Sequence, residues 1–144
     1  MPESQDVGQD RMVFLKRGKY VSRVAATASD IADAQHFRYL AFGLKDGSGV
    51  DSDAFDSDCK HFLIEDRITG TLVCCFRIMQ LRGGSEIEKS YSAQYYGLSA
   101  LHAFDGKLVE MGRFCIHPDL KDPDVLRVAW GTMTKYVDEK GVDL

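Results

Sequence analysis

The chain has 144 residues, of which 44% are hydrophobic and 10% aromatic, so it can bury one real core and needs no second domain. Its formal net charge of -4 argues against general affinity for nucleic acid. It contains no apolar run long enough to span a bilayer and no apolar leader at its polar N-terminus, so we expect a soluble cytoplasmic protein.

Residues 1–19 are interpreted as a polar and basic lead, and residues 20–144 as the domain itself. The stretch from Arg11 to Arg23 holds five basic side chains and no acidic one. A local patch that binds phosphate or an acidic protein is one interpretation, and an ordinary solvated terminus is the simpler one.

The first predicted strand covers residues 20–26, which are short and rich in β-branched side chains. A helix is predicted from Thr27 to about residue 42, because Thr27 or its neighbours can cap it and Gly43 can end it. Arg38 falls on the apolar side of this helix. A buried arginine requires a carboxylate partner.

A long loop is predicted for residues 43–57, which are rich in Gly, Ser and Asp. It holds Asp51, Asp53 and Asp56 within six residues. Calcium is an alternative, but the twelve-residue pattern that ends in a bidentate Glu is absent, so we favour ion pairing.

Two strand-like runs, residues 61–66 and 72–79, are separated by a short turn and predict an antiparallel hairpin. Arg77 lies on the apolar second run, where an unpaired guanidinium is costly to bury. Residues 80–90 are then predicted to form a polar loop, and residues 91–101 a short helix.

The stretch from residue 107 to 118 predicts a central strand, because its apolar residues fall on both parities. Glu110 and Arg113 are three apart and would point to opposite faces of a regular strand. Gly112 lies between them and predicts a bulge, which would bring both charges to one partner set. A buried structural ion pair is the simpler interpretation of the two charges.

A second long helix is predicted from Asp122 as its cap to about Lys140, and residues 142–144 resemble the start of another strand. This order predicts an α/β fold, a mixed sheet flanked by helices, that stops after the helix following the central strand. The four cysteines are expected to be free thiols. No metal is predicted, since no second pair of ligands accompanies Cys59 and His61.

Three arginines on apolar elements and several carboxylates on the loop and central strand are suited to bidentate pairing with each other. The arginines are Arg38, Arg77 and Arg113, and the carboxylates are Asp51, Asp53, Asp56 and Glu110.

The ordered motifs resemble the ornithine lipid acyltransferase branch of the GNAT acyltransferases. The resemblance covers roughly residues 20–144 and rests on Arg38-Tyr-Leu-Ala-Phe42, Asp51 to Asp56 with His61, Phe76-Arg77, Glu110-Met-Gly-Arg113 and His117-Pro118. Much of this pattern is shared with acyl-homoserine lactone synthases, while His61, Tyr91-Ser92 and His117-Pro118 look more like the ornithine branch. The spaced glycines of the usual GNAT pyrophosphate loop are missing from residues 120–125, which argues against coenzyme A.

The resemblance implies an enzyme that moves a fatty (3-hydroxy)acyl group from acyl carrier protein to the α-amino group of ornithine or a similar amino acid, in ornithine lipid synthesis. The donor is then an acyl thioester on phosphopantetheine, and no cofactor is held tightly. Alternatives that stay open are a lactone-type synthase, a coenzyme A dependent N-acetyltransferase, and a non-catalytic fragment or interaction module.

The expected site residues fall into three groups. The expected catalytic residues are Glu110, as general base, and Arg113. The residues expected to bind substrate or organise the site are Arg38, Phe42, Asp53, Asp56, Arg77, Gly112, Phe114 and Cys115, and backbone amides between Gly112 and Cys115 are expected to stabilise the oxyanion. The phosphopantetheine of the carrier protein is expected near Lys121 and Arg127, beside a helix N-terminus.

Acyl carrier protein and a small amino acid are therefore the expected partners, without nucleic acid. Because the product of such a reaction is a lipid, contact with the inner membrane surface is left open. An incomplete sheet has an open edge, so self-association through that edge is also left open.

Overall fold

The computed structural model describes residues 12–144. They form one five-stranded sheet in the order β1-β2-β3-β4-β5, with all neighbouring strands antiparallel. The strands are β1 (Val13–Arg17), β2 (Tyr20–Val24), β3 (Lys60–Asp66), β4 (Leu72–Leu81) and β5 (Leu108–Ile116), and the helices are α1 (Ala28–Ala41) and α2 (Pro123–Lys140). The predicted α/β class is confirmed.

Strand β1 was not predicted, and it lies inside the stretch interpreted as a lead. It pairs with β2 through a tight turn at Gly18, whose φ of 59° is one that glycine adopts without strain. Its exposed Lys16 and Arg17 are typical of an edge strand, where charges discourage pairing with other chains. Those charges hide the strand pattern in the sequence.

The basic patch that was one interpretation of residues 11–23 does not include Arg23, and Arg11 lies outside the described residues. Arg23 is buried, with its Nε 2.6 Å from Glu65 Oε1 and its Nη1 3.0 Å from Asp30 Oδ2. It stabilises the contact between β2, β3 and the start of α1, so it is not available to a surface ligand. Lys16 remains exposed.

Helix α1 begins as predicted, with Thr27 as its cap. Thr27 Oγ1 accepts the N–H of Asp30 at 3.1 Å, and the Asp30 side chain accepts the N–H of Thr27 in return, which completes a capping box. The helix lies on one face of the sheet and packs Ala34 and Phe37 against Leu63 and other apolar side chains of the sheet. This packing places Arg38, one turn later, over the same face.

Helix α2 lies on the opposite face and covers the larger apolar core. Asp122 caps it as predicted, and Gly141 ends it with a φ of 63°. Phe62 and Phe76 stack at 5.1 Å beneath it, and Tyr136 meets Phe62 edge-on. The core on this face consists of buried residues from β2, β3, β4 and α2: Tyr20, Phe62, Ile64, Val73, Cys74, Phe76, Ile78, Val125, Val128, Ala129 and Tyr136.

The connection between β4 and β5 differs from its prediction. Strand β4 extends to Leu81, two residues beyond the predicted end, and the expected helix at residues 91–101 is wrong. The segment instead contains three short 3₁₀ turns, Gly84–Lys89, Ser92–Gln94 and Ser99–Leu101. The weak helical spacing of residues 91–101 was misleading, because contacts with the rest of the fold set the shape of this segment.

Strand β5 is the last strand of the described sheet, where the sequence analysis expected a central one. Its outer edge is paired only at its start, where Leu144 donates its N–H to Lys107 and accepts the N–H of Val109 at 3.2 and 3.0 Å. These two bonds are the pattern of a parallel ladder, which agrees with the strand-like character predicted for residues 142–144. No helix within residues 12–144 has the length and apolar character needed to cross a bilayer.

Candidate active site

A bulge interrupts the pairing of β5 with β4. Cys75 pairs with Cys115 and Arg77 pairs with Gly112, so two residues of β5 stand opposite Phe76 alone. The extra residue is at Arg113, which has a φ of 51° and is the one non-glycine residue with positive φ among residues 12–144. The predicted irregularity is confirmed, but its left-handed residue is Arg113, one position beyond the glycine.

The bulge changes which face the side chains of β5 point to. Glu110 and Gly112 lie on the α1 face before it, and Cys115 lies on the same face after it, despite the odd spacing. Arg113 joins them and contacts the loop that follows α1. Glu110 and Arg113 therefore share one face, as the sequence analysis inferred from a bulge.

On this face three arginines and three aspartates alternate in a closed ring, which we call the ionic ring (Arg38, Asp56, Arg77, Asp53, Arg113 and Asp51). Arg38 donates from Nη1 and Nη2 to the two oxygens of Asp56 at 2.9 and 2.8 Å, and from Nε to Asp51 Oδ2 at 2.8 Å. Its Nη2 also donates to the backbone oxygen of Asp51. Of the four carboxylates predicted to pair with the arginines, Asp51 and Asp56 are the partners of Arg38, whereas Glu110 lies outside the ring and accepts backbone N–H groups instead.

Arg77 continues the ring from β4. Its Nη1 donates to Asp56 Oδ1 at 2.8 Å and to Asp53 Oδ1 at 2.6 Å, and its Nη2 donates to Asp53 Oδ2 at 2.9 Å. Arg113 donates from Nη2 to Asp53 Oδ2 at 3.0 Å. Its Nε lies 3.1 Å from Asp51 Oδ2. This ion pair closes the ring, although its geometry is not that of a hydrogen bond.

Hydrogen bonds within the ring favour the charged forms of four of its members, Arg38, Asp53, Asp56 and Arg77. Burial on its own would raise the pKa of Asp56, but hydrogen bonds from Arg38, Gln35 and Arg77 outweigh it and hold that pKa well below its ordinary value. The pKa of Asp53 is lowered against burial by Arg77 in the same way. Burial would lower the pKa of Arg38 and Arg77, but their aspartates raise both.

His61 supports the ring from β3, where it pairs with Arg77 across the strands. Its Nε2 lies 2.8 Å from the backbone oxygen of Asp56, and the side chain is buried. Burial lowers the pKa of the imidazole, so the neutral ring that donates to Asp56 O is the form expected at neutral pH. His61 therefore fixes the backbone of the loop that presents the aspartates.

Glu110 has partners that the sequence did not reveal. Its Oε1 accepts the backbone N–H of Tyr91 and its Oε2 accepts that of Ser92, both at 2.9 Å. The carboxylate thus caps the 3₁₀ turn Ser92–Gln94 from a distant strand. The connection between β4 and β5 is tied to the site by the residue expected to be its general base.

Tyr91 lies between Glu110 and the ionic ring. Its ring centroid is 5.6 Å from the Arg77 guanidinium and 5.0 Å from that of Arg113, and Phe55 meets it edge-on at 5.4 Å. These are cation–π distances. The Arg113 guanidinium beside it also lowers the pKa of the Tyr91 phenol.

A cavity of about 40 Å³ lies at the meeting point of these elements. By volume it has room for a few water molecules or for a group the size of an amine. Its lining combines one carboxylate, one guanidinium, two aromatic rings and the glycine of the bulged strand: Phe55, Cys59, Arg77, Met79, Tyr91, Ser92, Glu110, Met111 and Gly112.

Several of the expected site residues lie elsewhere. Phe42 is exposed at the end of α1. Phe114 points to the α2 face, where it stacks with Phe76 at 6.0 Å and with Trp130 at 6.3 Å. Cys115 is buried in the apolar cluster beneath α1, with its Sγ 3.6 Å from that of Cys75.

The two residues expected near phosphopantetheine lie at the start of α2. Lys121 is exposed, and Arg127 is exposed and pairs with Asp124 at 2.6 Å. The N-terminus of this helix already has an anionic partner, because Asp122 Oδ1 accepts the N–H of Asp124 at 3.0 Å and its Oδ2 accepts the hydroxyl of Tyr20 at 2.8 Å. Neither Lys121 nor Arg127 contacts the ionic ring.

Tyr91 and Phe55 were absent from the expected site residues. Tyr91 was noticed only as part of the family resemblance, and its neighbours predicted a helix that would not have placed it over Arg113. The sequence did contain one indication of both residues: buried guanidinium groups attract the faces of aromatic side chains, so the arginines predict aromatic neighbours. Residues 12–144 contain no group of three or more His, Cys, Asp or Glu side chains arranged to hold a metal ion.

Comparison with known proteins identifies relatives for most of the chain. The model of the acetyltransferase (GNAT) domain matches residues 36–131. Two curated relatives are both named L-ornithine N(alpha)-acyltransferase: one from Rhodobacter capsulatus is 26% identical over 82% of this chain and 51% of its own length, and one from Agrobacterium fabrum is 26% identical over 99% and 54%. The chain spans about half the length of the curated relatives it matches.

Two solved structures share the fold. FeeM, an N-acyl amino acid synthase from uncultured soil microbes, superposes with a TM-score of 0.58 at 17% identity, over 86% of this chain and 67% of FeeM. The AHL synthase LasI superposes with a TM-score of 0.61 at 16% identity, over 85% of this chain and 68% of LasI.

Proposed function

Because the chain belongs to the acetyltransferase (GNAT) domain family, whose model spans residues 36–131, we propose that it transfers an acyl group from a thioester to an amine. More specifically, the donor is a fatty (3-hydroxy)acyl group on acyl carrier protein and the acceptor is the α-amino group of ornithine. The names of the curated relatives support this choice of acceptor. The reaction would supply the first acyl–ornithine bond of an ornithine lipid.

The observation that carries the proposal is the position of the Glu110 carboxylate. It lies on the same sheet face as Arg113 and lines a cavity of about 40 Å³. It also accepts the backbone N–H of Tyr91, whose ring lies over the Arg113 guanidinium. A carboxylate that lines a small cavity is suited to accept a proton from an attacking amine, directly or through one water molecule.

In this mechanism the amine nitrogen attacks the thioester carbonyl carbon as Glu110 takes the proton of the amine. A carbon–nitrogen bond forms, and the carbonyl oxygen becomes an oxyanion. We place the oxyanion donor among the backbone N–H groups of residues 112–115, since Arg113 and Phe114 fall outside the regular ladder with β4. The carbon–sulfur bond then breaks, and the proton passes to the leaving thiolate.

The ionic ring has the supporting role. Its arginines and aspartates hold the loop after α1 against β4 and β5. Arg38, Asp53 and Asp56 thereby position the site, and Arg77 also lines the cavity beside Glu110. We assign recognition of the carrier protein to the exposed Lys121 and Arg127, because carrier proteins present an anionic phosphopantetheine arm. Contact with the membrane surface belongs to the same proposal, since its product is a lipid.

The test is a transfer assay with ornithine and matched acyl thioesters of carrier protein and of coenzyme A, with products identified by mass spectrometry. N-acyl ornithine formed from the carrier-protein thioester is the expected product. N-acyl ornithine formed from the coenzyme A thioester alone, or no product at all, would contradict the proposal.

Glu110→Gln tests the general base in the same assay. We expect kcat to fall about 10²- to 10⁴-fold, while circular dichroism and thermal unfolding show a folded protein. Glu88→Gln is the matched control, because Glu88 is an exposed carboxylate in the connection between β4 and β5. Near wild-type turnover in Glu110→Gln would exclude the base role.

A further inference from the structure

The three arginines of the ionic ring do not use their donors equally. Arg38 is 1% exposed and donates from all three of its nitrogens, and Arg77 is 3% exposed and donates from both terminal nitrogens. Arg113 is 24% exposed and donates one hydrogen bond to a carboxylate of the ring, from Nη2 to Asp53, while its guanidinium also contacts the Tyr91 side chain. Among residues 12–144, its Nε is the buried side-chain nitrogen or oxygen without a hydrogen-bond partner.

Arg113 is also held in an unusual way. Its backbone is in the left-handed region, where a residue with a Cβ persists only if its surroundings fix it there. Its guanidinium lies 5.0 Å from the centroid of the Tyr91 ring, and the turn that carries Tyr91 is bonded through two backbone N–H groups to Glu110. Tyr91 therefore connects the donor-rich arginine to the carboxylate that takes the proton.

From this geometry we infer that Arg113 binds the carboxylate of the amino-acid acceptor, and that Tyr91 is the positioning residue that holds the guanidinium for this contact. The inference rests on the proposed function and names what the site recognises. In an α-amino acid the amine and the carboxylate are attached to one carbon. Glu110 and Arg113 lie on the same face of the sheet, so a base for the amine and donors for the carboxylate are available on one side of β5.

Selectivity for an α-amino acid follows from this arrangement. A guanidinium with unused donors offers charge-assisted hydrogen bonds to a carboxylate, which are stronger than neutral ones. An amine without a neighbouring carboxylate leaves the donors of Arg113 unsatisfied, which disfavours its binding. The ring of Tyr91 also favours binding, because a guanidinium group already held on an aromatic face loses less conformational entropy when it binds a carboxylate.

The experiment measures binding to the intact chain by isothermal titration calorimetry, with three probes that differ in one group. The probes are ornithine, ornithine methyl ester and 1,4-diaminobutane, which is ornithine without its carboxylate. For the wild type we expect ornithine to bind about 10- to 100-fold more tightly than the other two. Equal affinity for ornithine and its methyl ester would overturn the inference.

The variants separate positioning from general structural support. Arg113→Ala and Tyr91→Leu should both reduce the preference for ornithine over its methyl ester, with little change for 1,4-diaminobutane. Tyr91→Phe keeps the ring and should keep the preference, and Tyr96→Leu, an exposed tyrosine of the same segment, is the control. If Tyr91→Leu weakened all three probes to the same degree, Tyr91 would have no role in recognising the carboxylate.

The binding experiment and the transfer assay test separate claims, so either claim can be contradicted while the other is supported. A chain that forms N-acyl ornithine but binds the ester as tightly as the acid supports the proposed reaction and contradicts the carboxylate contact. A chain that prefers the acid but forms no acyl product supports the contact and contradicts the reaction.

Discussion

Both faces of the sheet carry apolar packing, but they differ in how much charge they bury. On the α2 face, aromatic and aliphatic side chains such as Phe62 and Phe76 pack against the helix with no charge among the buried core residues described there. On the α1 face, the ionic ring occupies the space between the helix, the following loop and strands β4 and β5. Apolar packing is not directional, whereas a guanidinium–carboxylate pair fixes distance and angle.

This contrast separates stability from geometry. Buried ion pairs recover in attraction little more than they lose in desolvation, so the ring adds little net stability compared with an apolar core of the same size. It does set the position of the loop and of the bulged strand. We infer that the α2 face mainly stabilises the domain, and that the α1 face holds the site in one arrangement.

The largest expected effect is from removing Asp56, the carboxylate shared by Arg38 and Arg77. In Asp56→Ala both guanidinium groups stay buried with one partner lost, which costs about 3–5 kcal/mol of the free energy of unfolding. Urea denaturation followed by circular dichroism measures it. Asp58→Ala is the matched control, because Asp58 is exposed two residues away and should change stability by less than about 0.5 kcal/mol.

A cost below about 1 kcal/mol for Asp56→Ala would contradict the description of the ring as a set of mutually dependent charges. It would indicate that solvent or a rearranged loop replaces the missing carboxylate. The same result would remove the reason to treat the two faces as differently built.

A smaller effect on the free energy of unfolding is expected at acidic pH, where the two faces of the sheet should respond differently. The pKa values of Asp53 and Asp56 lie below their ordinary value near 3.9. A lowered folded pKa stabilises the protein fully above about pH 4, and this contribution is lost as the pH falls through the folded values. The ionic ring should therefore weaken below about pH 4. A separate loss of stability is expected as the pH falls from about 7 to 5, because the lowered pKa of His61 keeps its imidazole neutral in the fold while the unfolded chain binds a proton.

The measurement is the free energy of unfolding from pH 7 to pH 2 for three proteins. Asp56→Asn removes one titrating group, so its curve should be lower than that of the wild type at pH 7 and flatter below about pH 4. Phe76→Leu on the α2 face should give a curve parallel to the wild type, since no charge changes there. Carboxylates outside the ring titrate alike in all three, so parallel curves for wild type and Asp56→Asn would contradict the prediction.

Much of the ionic ring was predictable from the sequence, because a charge on an apolar element must find a partner. Arg38 and Arg77 stood on core-facing positions, and the loop offered the aspartates. The capping box of α1 was equally local, since Thr27 and Asp30 are three residues apart. Both predictions needed only burial and short-range geometry.

What the sequence did not predict depends on long-range contacts. The turn at Tyr91 is capped by Glu110, 19 residues away, so no local pattern shows its shape. Strand β1 is stabilised by pairing with β2, while its own charges resemble those of a solvated tail. The bulge was predicted from Gly112, but its left-handed residue is Arg113, because ion pairs and the Tyr91 ring can hold an arginine where glycine would be the local choice.

The smallest expected effect is the difference in stability between Arg113→Gly and Arg113→Ala. Both variants lose the same ion pairs and the contact with Tyr91, which are partly exposed and contribute modestly to stability. Alanine retains a Cβ at a φ of 51°, and glycine does not. The glycine variant should therefore be more stable than the alanine variant by about 1 kcal/mol, the reverse of their usual order within a strand.

Thermal unfolding of the two variants side by side measures this difference, and Met111→Gly against Met111→Ala on the same strand supplies the usual order for comparison. If Arg113→Ala were equally stable, the left-handed backbone would not be a fixed feature of the bulge. The strand could then relax when the ring is broken, and the ionic ring would be the cause of the bulge. A stability gap of the expected size instead shows that the backbone bends at this residue without help from its side chain, and that the guanidinium makes use of a bend already present.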